Sequence, residues 1–106
     1  MARYILLALN GPTEGEGHDE EYNTWYSEVH VKDILATPGI ESAERYKVVQ
    51  GNGSWPYVAV YQIEADDLGT VFQALGETAS TFPDVFDRSN SAHIVAINMD
   101  DLETAD

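Results

Sequence analysis

The 106-residue chain carries 19 acidic residues against 5 Lys and Arg, a formal charge of −14, with 43% hydrophobic residues and no cysteine. This length and apolar content suit one domain spanning residues 1–106 around one core, and zero cysteine excludes disulfide scaffolds, thiolate-held zinc, iron–sulfur clusters and thiol nucleophiles. The acidic surface repels phosphates and anionic lipids, so neither nucleic acid nor a membrane is an expected partner, and six Tyr, three Phe and two Trp are too many aromatics for a disordered chain.

Residues 3–10 (RYILLALN) form a nearly continuous apolar run, short enough for a strand buried on both faces. No small-residue cleavage site lies behind it, so no signal peptide is expected and a cytoplasmic location is. No apolar run reaches the ~20 residues that span a bilayer. Residues 11–17 (GPTEGEG) are a loop, and Asp19 is the expected N-cap of a helix over about 20–36, with Glu20 and Glu21 in its first turn. Thr37-Pro38-Gly39 stops that helix. A second strand follows over 40–50, carrying Arg45 and Lys47. The turn at 51–54 and Trp55-Pro56 lead into a third strand over 57–65. Asp66-Asp67 opens a second helix whose Leu68, Val71, Phe72 and Leu75 repeat at core-facing spacing. Residues 81–90 read as irregular or a short helix around Phe82, Val85 and Phe86. A fourth strand covers 91–99, and an acidic tail expected to fray begins at about residue 100.

The order is β-α-β-β-α-β, the ferredoxin-like split arrangement of the α+β class. It puts strands 1 and 3 at the centre of the sheet, and these are the two that are apolar on both faces. Two helices cover one face only. The other face is expected to be covered by a second copy, as a homodimer packed sheet to sheet.

Chemistry concentrates on the first helix. At 100° per residue, Tyr22, Trp25, Tyr26, Val29 and Ile34 form an apolar arc, with Asp33 near its middle and His30 on its shoulder. A carboxylate on a buried face needs a partner, and His30, one turn away, and Arg45 on the sheet are the candidates. A His ring held by a carboxylate can move protons near neutral pH. The alternative, in which His30 and Asp33 tie the helix to the sheet through polar contacts, stands beside it. His93 on the edge strand and His18 in the acidic loop read as surface or packing residues. The three histidines make no close metal-ligating pair and the carboxylates no EF-hand pattern, so no metal is expected. Tyr46, Tyr57 and Tyr61 are either phenol donors into a cleft or packed sheet aromatics. Trp55, Phe82 and Phe86 suit a pocket rim or a dimer seam equally.

The stretch Asn23-Thr-Trp25-Tyr26-Ser-Glu-Val-His30-Val-Lys-Asp33, its Pro38-Gly39 stop and the following Arg45-Tyr46 pair resemble the EthD-like branch of the dimeric α+β barrel superfamily. The detailed match covers about the first half of the chain. The resemblance implies a homodimer with a pocket in each protomer between helices and sheet. It implies an activity among polyketide cyclases, muconolactone isomerases, cofactor-free monooxygenases and haem-degrading enzymes. It also implies that His30 is the acid/base and Asp33 its partner. The haem branch fits poorly, because the second helix has no His to ligate iron. The expected function is a cofactor-independent lyase, isomerase or cyclase acting by proton transfer on a small aromatic or polyketide-like substrate. His30, Asp33 and Tyr46 are its candidate catalytic residues, and Trp25, Tyr26, Tyr61 and Phe86 its candidate substrate contacts. A non-catalytic small-molecule-binding dimer and a cofactor-free monooxygenase remain the alternatives.

Overall fold

The fold is described from a computed structural model covering residues 1–104. Strands β1 (Ala2–Asn10), β2 (Ile40–Lys47), β3 (Tyr57–Ala65) and β4 (Ala92–Ile97) form one antiparallel sheet in the order β2-β3-β1-β4. The two strands that read as apolar on both faces are therefore the central ones, because only a central strand is flanked by neighbours that shield both edges. Helices α1 (His18–Trp25) and α2 (Val31–Leu35) are joined without a break by a π-helical turn, Tyr26–His30, into one rod. Helix α3 (Leu68–Thr78) is the second helix of the ferredoxin-like pattern.

The helix starts correct one expectation and uphold another. Gly17, left-handed at φ 81°, occupies the N-cap of α1, where Asp19 was expected; Asp19 instead accepts a hydrogen bond from the Tyr57 hydroxyl at 2.6 Å. At α3, Asp67 does cap, taking the Gly69 N–H at 3.0 Å and the Thr70 hydroxyl at 2.8 Å. Gly39, at φ 99°, lets the chain turn out of the rod into β2. A Cβ there would lie 3.0 Å from a Val71 methyl, so the residue also sets how closely the two helical layers approach.

One face of the sheet packs beneath the helices. Tyr4, Leu6, Ala59, Tyr61 and Ile63 from the strands are sealed there against Tyr22, Tyr26, Ile34 and Val71. The intervening residues Ile5, Leu7, Leu9, Val58 and Val60 point the other way and are half-buried. Beyond α3, a 3₁₀ turn (Ala79–Thr81) leads into residues 82–90, which are irregular as expected, with Val85 and Phe86 buried. The tail is better ordered than its charge suggested. Residues Met99–Thr104 form a 3₁₀ helix, and Asp101 accepts from the Arg3 guanidinium at 2.7 Å. The last two residues of the expected frayed tail lie outside the described ones.

Candidate active site

The π-helical turn decides what the rod presents to the sheet. Val31 N–H donates to Tyr26 O, five residues back, so this turn holds one residue more than an α turn. The extra residue rotates everything downstream by about 100° relative to an uninterrupted α-helix. Asp33 swings off the buried face and is exposed, while Ile34, expected in the apolar arc, is buried at 4% exposed. Val29, expected in the apolar arc, is also exposed at 48%. The buried line is Tyr22, Tyr26, His30 and Ile34. The expected His30–Asp33 hydrogen bond is therefore absent, and the carboxylate acts on the imidazole only through space.

His30 is enclosed by aromatic rings. Trp25 stacks on it at 4.9 Å and 14° between planes, while Tyr26 and Phe82 meet it edge-on at 4.8 and 4.7 Å. Its ring has no hydrogen-bond partner among the described residues. Burial among these rings pushes its pKa down to about 4; the nearby Asp33 carboxylate opposes the shift and Arg45 adds to it. At neutral pH the imidazole is uncharged.

His30 lines a cavity of about 350 Å³ between the rod, α3 and the helix-covered face of the sheet. Leu6, Ala8 and Asn10 of β1 contribute to its floor, and Tyr26, Tyr61, Phe72, Leu75, Phe82 and Phe86 also line it. The volume and the mostly apolar lining suit a small organic molecule. The Tyr26 and Tyr61 hydroxyls lie 3.0 Å apart in one hydrogen bond, and the Tyr22 hydroxyl donates to Asn10 Oδ1. Burial raises the pKa of Tyr22, Tyr26 and Tyr61 above that of a free phenol, so all three stay protonated at neutral pH. Arg45 does not pair with Asp33. Its guanidinium donates to Asn23 Oδ1 at 2.8 Å and Ser27 Oγ at 3.0 Å, and lies over the Tyr26 ring at 4.3 Å.

Of the expected contact residues, Tyr26, Tyr61 and Phe86 line the cavity, and Trp25 stands one layer back as the platform under His30. Tyr46 does not belong. Strand alternation turns it to the open face of the sheet, where it is 50% exposed and donates to Glu44 at 2.8 Å. Tyr57 is committed to Asp19 and Asn23 outside the cavity. Trp55 lies outside it as well. Among the lining residues that went unrecognised in sequence are His93 and Asn10. His93, exposed as a surface residue should be, nevertheless shares the inward face of β4 with Val95 and Ile97; the run HIVAIN is apolar at both parities and hides which face is inward. Asn10 gave no signal beyond being polar at the end of an apolar strand. His18 is tied to Thr13 at 2.9 Å and takes no part.

Residues 15–81, more than half the chain, match the family described as "Domain of unknown function (DUF4286)". The chain belongs to the DUF4286 family. The DUF4286 chain is 28% identical over 60 residues to core atranone cluster (CAC) protein 1 of Stachybotrys chlorohalonatus (strain IBT 40285). That match covers 57% of the chain and 26% of the relative, so the chain spans about a quarter of the length of the curated relative it matches. Among solved structures, an EthD family protein from Bacillus halodurans C-125 superposes with a TM-score of 0.65 at 13% identity, covering 93% of this chain and 100% of that one. A dimeric ferredoxin-like protein of unknown function from Thermobifida fusca YX gives 0.60 at 11%, covering 92% of each. A mutant of SnoaB, a cofactor-independent oxygenase from Streptomyces nogalater, gives 0.58 at 12%, covering 92% and 93%. At these identities the likeness is one of fold, and the fold is the ferredoxin-like α+β arrangement shared with EthD family proteins. Among the described residues, no group of His, Asp and Glu could hold a metal ion, and no helix is long and apolar enough to cross a membrane.

Proposed function

We propose that this chain is an enzyme that moves protons on a small, largely apolar aromatic or polyketide-like compound bound in the cavity, working as a homodimer without a cofactor. The observation that carries the reading is His30. It is an uncharged imidazole with no hydrogen bond of its own, on the wall of a 350 Å³ cavity that also holds a hydrogen-bonded phenol pair. The neutral ring accepts a proton from an acidic C–H or O–H of the substrate. The anion formed beside it in a water-poor site stabilises the imidazolium, so the depressed basicity of the empty site is recovered when charge develops. In the Tyr26–Tyr61 pair one O–H is used between the two phenols, which leaves the other to donate to the developing oxyanion. Returning the proton to a different atom completes an isomerisation or cyclisation, or the departure of a leaving group. Dimerisation is supported by the half-buried apolar row on the open face and by the dimeric ferredoxin-like protein of the same fold.

A cofactor-free oxygenase is the second reading, favoured by the fold shared with SnoaB. Deuterium incorporation from heavy water into a panel of hydroxylated aromatic and polyketide-like compounds, followed by NMR, tests the first. His30→Ala is expected to slow exchange by about 10²–10⁴-fold. Exchange unchanged in that variant overturns the proposal, and turnover that consumes oxygen moves the assignment to the second reading.

A further inference from the structure

Besides Asn10, Thr78 and Ser91, the polar side chains of the cavity fall on two flanks of its floor. Strand register sets Tyr61 beside Leu6 on the β3 side of β1, and His93 beside Ala8 on the β4 side. Two inter-strand spacings separate these flanks, roughly 10 Å across the sheet. Tyr61 is joined to Tyr26, and Tyr26 to the edge of His30, so one flank is a cluster of phenol and imidazole. The other flank is His93, an exposed residue that lines the cavity from its solvent side and whose ring has no hydrogen-bond partner among the described residues. Between them the floor includes Leu6 and the small Ala8, a surface on which a flat ring system can lie.

The lining holds no Lys, Arg, Asp or Glu. The nearest cations are engaged elsewhere: Arg45 with Asn23, Ser27 and tyrosine faces, and Arg88 with the carbonyl oxygens of Ala79 and Phe82. A carboxylate or phosphate on the ligand would meet no fixed positive charge, inside a chain of net charge −14.

We propose that His93 is the second anchoring residue of the cavity, and that the substrate is a flat, uncharged compound with a hydroxyl or keto oxygen at each end. One oxygen sits against His30 and the tyrosine pair, the other against His93. This rests on the function proposed above and names its substrate class. An imidazole suits the second flank because it can either donate to a keto oxygen or accept from a hydroxyl.

Isothermal titration near neutral pH tests this with three probes: a naphthol, the naphthalenediol with hydroxyls at opposite ends, and the corresponding hydroxynaphthoate. The wild type, His93→Leu and His93→Gln are compared, with thermal melts to check that each is folded. In the wild type, the diol should bind about three- to tenfold more tightly than the naphthol, the worth of one net hydrogen bond. His93→Leu should abolish that gain while leaving naphthol affinity unchanged, and His93→Gln should keep it. The hydroxynaphthoate should bind at least about tenfold more weakly than the diol. A gain that persists in His93→Leu overturns the anchoring role and leaves the proposed function standing. A hydroxynaphthoate that binds as well as the diol overturns the uncharged substrate class. Failure of both naphthol and diol to bind overturns this inference together with the cavity reading beneath it.

Discussion

On the helix-covered face of the sheet, Tyr61, Asn10 and His93 project into the cavity from an otherwise apolar surface. On the open face, Ile5, Leu7, Val58 and Val60 alternate with them along the same strands and end half-buried, and Ile94 remains 53% exposed. Both sets come from one period-2 pattern, yet buried polar side chains, Tyr61 and Asn10, occur on the covered face, while Gln62, Glu64, Glu44 and Tyr46 of the open face stay exposed. An apolar shell makes a phenol pair or an imidazole chemically distinctive, because burial there raises one pKa and lowers the other. The central open face offers mainly apolar area, which suits association rather than chemistry.

The largest expected effect separates the two faces outright. Val60→Arg places a charge on the open face, and burying an unpaired charge costs about 3–5 kcal/mol. A twofold interface would bury it twice. Sedimentation should report a dimer for the wild type and a folded monomer for Val60→Arg. A wild type that is monomeric at micromolar concentration would break the comparison.

Acid should act through the covered face. His30 has a folded pKa of about 4 against an ordinary value of 6.5, so between these values the unfolded chain binds the extra proton. Stability is therefore full above about pH 6.5 and falls as the pH drops towards 4, by on the order of 3 kcal/mol. Denaturation midpoints measured across this window should slope for the wild type and flatten for His30→Phe. An equal slope in both would place the acid sensitivity elsewhere.

Tyr61→Phe sharpens the contrast between buried and exposed hydroxyls. It removes the partner of the buried Tyr26 hydroxyl and should cost about 1–3 kcal/mol, several degrees in Tm. Tyr46→Phe, on the open face, should leave the melt unchanged. Equal losses in the two variants would contradict the assignment of faces.

Asp33→Asn carries the smallest expected effect. With the carboxylate exposed, stability should stay within about 0.5 kcal/mol of wild type. The pKa of His30 should fall slightly further, since Asp33 opposes the burial shift. A loss of several kcal/mol would restore the buried ion pair that the helical wheel implied.

Local chemistry carried much of the architecture into the sequence. Apolar runs too short for helices, the Pro38-Gly39 stop, the Asp67 cap and the β-α-β-β-α-β order are short-range signals, and with the apolar central strands they specify a ferredoxin-like sheet. His30 was legible because a titratable ring amid Trp25 and Tyr26 departs from an apolar pattern. Its partner was not. A wheel drawn at 100° per residue put Asp33 on the buried face, and one extra residue in the turn over Tyr26–His30 sent it to solvent. The choice between a π and an α turn depends on how Tyr26, His30 and Ile34 pack against the sheet, a long-range energy with no local marker. The faces of Tyr46 and His93 were likewise undecided, since a one-residue change of register exchanges the two faces of a strand and both parities of β4 are apolar. Pairing of Tyr46 with Val58 on β3 and of His93 with Ala8 on β1 settled them.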